Sequence, residues 1–130
     1  MPAPTIIKDL ENPGRRAFQH AVQFLNAARG TVHTFPVPAG KNLVIEFVTV
    51  NFTLDSPRVV PVIFIAPSVG GASVSHMLVL TRLDPNNWGA SQLVRLYAGS
   101  GTSVSVQVSS IDGGIFSGFV TFAGHLVDVT

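Results

Sequence analysis

Residues 42–54 read NLVIEFVTVNFTL, and this stretch decides the fold. A run of this length that is rich in β-branched and aromatic residues predicts a β-strand. A strand with one wet face should alternate apolar with polar residues. Here one face carries Leu43, Ile45 and Phe47, and the other carries a second apolar set: Val44, Val48, Val50, Phe52 and Leu54. Only Glu46 puts a charge in the middle, so something must cover the second face.

Two arrangements would cover it. In the first, the chain is a homo-oligomer and a second copy covers apolar outer faces, because soluble monomers rarely expose contiguous apolar patches beyond a few hundred Å². In the second, a β-bulge near Thr49 switches the inward-facing set midway along one long strand. Charged residues make up 12% of the chain, against about a quarter in typical domains. This low content favours the oligomer.

The rest of the chain has the pattern of an all-β domain. Short β-branched runs alternate with Gly, Pro, Asn and Asp, which predicts strands over 31–37, 43–54, 59–66, 74–82, 92–98, 102–109 and 115–129. The run 17–30 fits both a helical stripe and a period of two, and we interpret it as a strand. Pro61 lacks a ladder donor, which predicts an edge or bulged position for its strand. Strict alternation in TSVSVQVS (102–109) predicts one wet face.

These patterns predict an antiparallel β-sandwich, jelly-roll-like, with seven to eight strands. The expected organisation is an N-terminal arm (1–16) followed by a single sandwich domain (17–130). A chain of 130 residues is long enough for one such core.

Composition excludes several classes of site and partner. The chain has no cysteine, so disulfides and thiolate chemistry are excluded. Its net charge of +1 is spread along the chain, without the basic stripe that nucleic-acid binding requires. No apolar run is long enough for a membrane helix, so no transmembrane segment is expected. The N-terminus lacks a signal-peptide pattern, which leaves an intracellular protein and an exported one without its signal both open.

Three stretches and a closing motif carry a resemblance: VPAGKNLVIEFV (37–48), VSHMLVL (74–80), ASQLVRLYAGSGTSVSV (90–106) and GHLVDV (124–129). Together they resemble small uncharacterised bacterial proteins built as a single β-sandwich and often made with an export signal. The resemblance covers most of the chain from Pro36 onward. It implies a β-sandwich and a secreted or extracellular location, and it carries over no catalytic residue.

Titratable residues form no recognised motif. The four histidines lie on different predicted strands, and the chain has no GxSxG, HExxH or P-loop sequence. His33 and His76 could supply two metal ligands if their strands were neighbours, but further ligands at suitable spacing are missing. We therefore predict no metal and no cofactor. Glu46 is expected to pair with an arginine such as Arg95, because an unpaired buried charge is costly.

The stretch LDPNNWGAS (83–91) is the most suggestive for ligand binding. It holds the only tryptophan, Trp88, in a predicted polar loop with Asp84, Asn86 and Asn87. An exposed indole flanked by amides can bind sugar, with the ring stacking on the pyranose and the amides binding hydroxyls. A loop tryptophan can equally plug the end of a sandwich or fill a subunit interface. Tyr97 is expected to pack inside.

These observations favour a non-catalytic structural or binding protein that acts as a homo-oligomer. A trimer is the form expected by analogy with other jelly rolls. One alternative is a carbohydrate-binding module or lectin that binds a glycan through the 83–91 loop. The other is an enzyme whose active site forms between subunits.

Overall fold

Two antiparallel sheets packed face to face, with one small hairpin, make up the fold. The computed structural model describes residues 15–110 and 113–129, and the backbone of residues 5–8. These residues contain no helix and form twelve strands, more than the seven to eight predicted. The strands are β1 (Thr5–Lys8), β2 (Arg15–Ala28), β3 (Val32–Pro36), β4 (Lys41–Leu54), β5 (Pro61–Ala66), β6 (Ser68–Val69), β7 (Ala72–Ser73), β8 (His76–Leu78), β9 (Thr81–Asp84), β10 (Asn87–Ala98), β11 (Ser103–Ser110) and β12 (Ile115–Asp128). The all-β prediction is confirmed, and the ambiguous run 17–30 is part of a strand.

The strand order is that of a jelly roll. Sheet A has the order β1-β2-β12-β4-β10-β9, sheet B has the order β3-β11-β5-β8, and β6 pairs with β7. Four short strands, β1, β6, β7 and β9, are additional to an eight-strand pattern, which has the order β2-β12-β4-β10 over β3-β11-β5-β8. This order is two Greek keys wound around one core, as jelly rolls have. The predicted β-sandwich is confirmed, and the four short strands account for the higher count.

Several predicted boundaries differ from the structure. The strand predicted over 74–82 is divided into β8 and β9, and β10 begins at Asn87 where residue 92 was expected. Pro61 does not mark an edge strand, because β5 lies between β11 and β8. It is the first residue of β5, a position at which a missing N–H is tolerated. Of the predicted N-terminal arm (1–16), the structure describes residues 5–8 and 15–16, which belong to β1 and β2 of sheet A.

A β-bulge at Glu46 answers the question that β4 raises. Ala123 and Gly124 are consecutive on β12, but they pair with Phe47 and Ile45, so Glu46 is one extra residue on β4. The inward-facing set changes across it, with these residues at 5% exposure or less: Leu43, Ile45, Val48, Val50, Phe52 and Leu54. The predicted bulge is therefore present, at Glu46 in place of Thr49. It brings most of the apolar residues of this strand to the core and leaves Val44, Phe47 and Thr49 on the outer side of the sheet.

Phenylalanine rings fill the space between the sheets. Phe35 of sheet B packs on two rings of sheet A, at centroid distances of 5.9 Å to Phe18 and 5.0 Å to Phe122. Phe52 packs at 5.7 Å from Phe24 and at 6.0 Å from a further buried ring of β12. A buried phenylalanine contributes roughly 1.5–3 kcal/mol relative to an exposed one. These rings therefore hold the two sheets together.

The outer side of sheet B is wet where β11 crosses it, as predicted. Val104, Val106 and Val108 are fully buried. Ser103, Ser105 and Gln107 alternate with them and point outward. This strand follows the period of two without interruption, because no bulge interrupts its pairing with β3 or β5.

Candidate functional site

The outer face of sheet A is the candidate site. Registers of β2, β12, β4 and β10 align outward residues in four rows of four across the strands. Row one is Gln23, Phe119, Asn51 and Gly89; row two is Ala21, Thr121, Thr49 and Ser91; row three is Gln19, Ala123, Phe47 and Leu93; row four is Ala17, His125, Val44 and Tyr97. We refer to these rows together as the outer face.

Row two forms a trough across the sheet. Its residues are small, and the Thr49 and Thr121 hydroxyls are hydrogen-bonded to each other at its centre. Larger side chains stand on both sides, Phe119 in row one and Phe47 and Leu93 in row three. Open depressions of about 490 Å³ beside Phe47 and about 320 Å³ beside Phe119 follow this trough. The outer face is therefore corrugated, with shallow relief.

The four rows hold no Lys, Arg, Asp or Glu, but two charged residues, Glu46 and Arg95, lie on the same side of the sheet between rows three and four. The outer face is open to solvent: Leu93 is 86% exposed, Tyr97 52% and Phe119 48%. Gly89 is covered by Leu83, which would lie 3.1 Å from a Cβ at that position. Tyr97 was expected to pack inside, and that expectation is wrong because its partner Val44 lies on the outward side of the bulged strand.

An ion-pair cluster lies at the row-four end of the outer face. Glu46 Oε1 lies 2.6 Å from Nδ1 of His125 and 3.8 Å from a guanidinium nitrogen of Arg15. The same guanidinium lies 3.1 Å from His125 Nδ1. Glu46 therefore has the expected arginine partner, but this partner is Arg15 and not Arg95. The bulge places Glu46 beside β12 and β2, and its side chain is 37% exposed rather than buried.

A carboxylate hydrogen-bonded to a histidine also occurs in catalytic triads, so the cluster has to be compared with a triad. A triad also requires a hydroxyl or thiol nucleophile that is hydrogen-bonded to the histidine. In the described part of the chain, His125 has hydrogen bonds only to Glu46 and Arg15. Among the described residues, no nucleophile is hydrogen-bonded to this histidine, so the cluster does not have the geometry of a triad.

The other histidines do not assemble a metal site. His33 lies on β3 and His76 on β8, the two opposite edges of sheet B, so the neighbouring-strand arrangement considered for them is wrong. His33 packs edge-on against Phe24 at a centroid distance of 4.6 Å. Within residues 15–110 and 113–129, no group of three or more potential metal ligands occurs.

His20 gives the core a pH dependence. It is 8% exposed and packs 4.8 Å from the ring of Phe35, and burial lowers the pKa of its imidazole from the ordinary value of 6.5. Below pH 6.5 the unfolded chain binds more protons than the folded one. The free energy of unfolding should therefore fall as pH drops through 6.5, until the folded pKa is reached. The slope from this group is at most about 1.4 kcal/mol per pH unit.

Urea unfolding midpoints measured from about pH 7.5 to about pH 5 check this expectation. His20→Phe should flatten the decline, whereas His76→Gln, at an exposed histidine, should leave it unchanged. An equally steep decline in the His20→Phe variant would assign it to other groups.

The predicted loop 83–91 is mostly strand. Only residues 85 and 86 separate β9 from β10, and Trp88 lies on β10 opposite the buried Phe52. Trp88 is 8% exposed and belongs to the core, so of the positions considered for this ring it takes the one inside the sandwich and is not an exposed stacking surface. The Arg82 guanidinium lies 5.0 Å from the centroid of its ring system. Pairing with β4 turns the indole inward, where it fills the core.

The polar residues of this segment hold the turn itself. Asp84 Oδ1 accepts hydrogen bonds from the backbone N–H groups of Asn86 and Asn87, each at 3.0 Å. The Asn87 amide donates to the same carboxylate, and this bond, followed by the Asn86 backbone bond, lowers the pKa of Asp84. The Asn86 amide donates to the Leu54 carbonyl at 2.9 Å. These groups are already engaged within the chain, and glycan binding by them stays a prediction.

The sequence analysis did not identify the outer face. One signal was available, since alternate residues of β2 read Ala17, Gln19, Ala21 and Gln23, an uncharged outward stripe. The other three strands contribute to the face only through their registers, which one sequence does not supply.

Comparison with family models and with curated sequences adds no relative. No protein-family model matches the chain, and no curated protein sequence matches it. In the described residues, no helix long and apolar enough for a bilayer crossing is found.

Proposed function

We propose that the chain is a non-catalytic β-sandwich that works as a homo-oligomer, as a structural or binding scaffold. The observation that carries this proposal is the outer face of sheet A, which is open and partly apolar and has no charged side chain in rows one to three. Protein interfaces are depleted in charge at their centres and enriched in aromatic residues. The outer face has both features, with Phe47, Phe119 and Tyr97 as its aromatic residues.

The distribution of charge strengthens the proposal. The described part of the chain buries no Lys, Arg, Asp or Glu, so its charged side chains are all at the surface. Rows one to three of the outer face, which have none of them, are therefore unusual within this same molecule. Solvent-exposed apolar surface of this kind favours association, because a partner removes it from water.

The mass in solution tests the proposal. Light scattering behind a sizing column should give a stable multiple of 13.7 kDa that persists on dilution. Ala21→Glu places a charge in row two, where a partner would have to bury it. We expect this change to weaken association at least about tenfold, because a buried unpaired charge costs several kcal/mol.

Thr34→Glu is the matched control, since Thr34 is exposed on the outer side of sheet B. It should leave the mass unchanged. A monomeric wild-type chain at every concentration would refute the proposal. An Ala21→Glu variant with unchanged assembly would remove the outer face from it.

A further inference from the structure

We propose that two copies pack outer face to outer face about a two-fold axis that lies in the plane between them. The centre of the contact is the pair Thr49 and Thr121. Phe47 and Phe119 of each copy then cover Ala123 or Asn51 of the other. This inference rests on the proposed function, because it requires a homo-oligomer.

The relief of the outer face supports a two-fold contact. On β12, row one holds Phe119 and row three holds Ala123. On β4 the order is reversed, with Asn51 in row one and Phe47 in row three. The two large rings therefore occupy one diagonal around the central threonines, and the two smaller side chains occupy the other.

Consider a two-fold axis in the plane of the contact that runs along the rows or along the strands. It places the diagonal of large rings of one copy over the diagonal of smaller side chains of the other. Each ring then lies over a smaller side chain of the partner, which lets the two sheets interdigitate as packed sheets do. An axis along the diagonal of the two rings would instead place each ring on its own copy in the partner. The alternation of large and small side chains thus favours the first two orientations, both with the same centre.

The face is large enough for a stable pair. Four strands at about 4.8 Å and four rows at about 6.8 Å give a footprint of about 500 Å². A specific interface should bury at least about 1,000 Å² in total, or about 500 Å² from each partner. Leu83 and Leu25, which is 73% exposed, lie at the edges of the outer face and enlarge the apolar contact.

The symmetry of this contact also bears on the number of subunits. A face that is complementary to itself closes a pair with one kind of contact. The trimer expected by analogy would instead require two different complementary patches on each copy. The outer face therefore favours a two-fold pair as the unit of assembly.

Cysteine cross-linking tests the geometry on a clean background, because the chain has no cysteine. Packed sheets lie about 10 Å apart, beyond the reach of a disulfide, so a short bis-maleimide that spans one sheet separation is the reagent. For both axes, the Cα atoms of the two Thr49 residues should lie about 10–11 Å apart. Thr49→Cys should therefore give a covalent dimer, and Thr121→Cys should do the same.

Two variants serve as negative controls. Gln23→Cys is on the same face, but its two copies would lie about 17 Å apart, beyond the short linker. Ser105→Cys points away from the face on sheet B. Both should stay monomeric on denaturing gels, and each variant should have the wild-type mass before the reagent is added.

The outcomes separate this inference from the proposed function. If light scattering shows an oligomer but neither Thr49→Cys nor Thr121→Cys cross-links, the two-fold contact is wrong and the homo-oligomer stands. Equal cross-linking of Gln23→Cys and Thr49→Cys would also overturn the geometry. A monomer by light scattering would overturn both.

Discussion

Deletion of Glu46 is expected to destabilise the protein by about 3–6 kcal/mol, a large part of the stability of a typical domain. Without this residue, β4 loses its bulge and must alternate strictly, so the segments on either side of the deletion can no longer both face the core. Leu43 and Ile45 are both fully buried. Turning both outward would cost about 3–6 kcal/mol. A typical domain has a total stability of about 5–15 kcal/mol.

The matched control is Glu46→Ala, which keeps the length of the strand and removes only the side chain. It loses the contacts to His125 and Arg15, which are partly exposed and contribute at most about 1 kcal/mol. Urea unfolding followed by circular dichroism and by the fluorescence of the buried Trp88 measures both variants. If the deletion variant and Glu46→Ala unfold at the same urea concentration, the bulge does not determine which side chains of β4 face the core.

The sequence of β4 suggests two apolar faces, and it also contains the signal of the bulge that explains them. Leu43 and Ile45 establish one parity and the apolar run from Val48 to Leu54 establishes the other. The only charge falls at the change, where an extra residue points its side chain outward. A change of the inward-facing set at a charged residue indicates a β-bulge as directly as it indicates a strand with two apolar faces. Strands without such a break, such as β11, were predicted from alternation alone.

The positions of Trp88, His33 and His76 in the fold depend on strand pairing, which the sequence alone does not reveal. Trp88 follows a Pro-Asn-Asn turn and precedes Gly89, which is the composition of a loop. Its position in a strand comes from pairing with Phe52, a contact between residues far apart in the sequence. His33 and His76 were similarly considered as neighbours, because strand order in a jelly roll does not follow chain order.

The candidate face illustrates the same limit. Row two consists of Ala21, Thr121, Thr49 and Ser91, one residue from each of four strands. None of these residues is notable by itself. Together they form an uncharged trough, and only the registers bring them together.

A single methyl group at Gly124 should destabilise the fold strongly. Gly124 lies on β12 beside the bulge, and a Cβ there would be 1.9 Å from the Val44 carbonyl oxygen and 3.1 Å from the Ile45 Cα. These are backbone atoms of β4, so relief requires separation of the two central strands of sheet A. We expect Gly124→Ala to lower the free energy of unfolding by about 3 kcal/mol or more, at the upper end of overpacking effects.

Gly99→Ala is the control for this change. The nearest atom to a Cβ at Gly99 is the Ser68 carbonyl oxygen at 3.5 Å, an ordinary contact, and the substitution should alter stability by less than about 0.5 kcal/mol. Urea unfolding of both variants beside the wild type gives the comparison. Similar midpoints for Gly124→Ala and Gly99→Ala would mean that β12 does not approach the bulged backbone this closely. A large loss at Gly124 alone would mean that the bulge depends on a residue without a side chain opposite it, so the extra residue on β4 and the glycine on β12 form one structural unit.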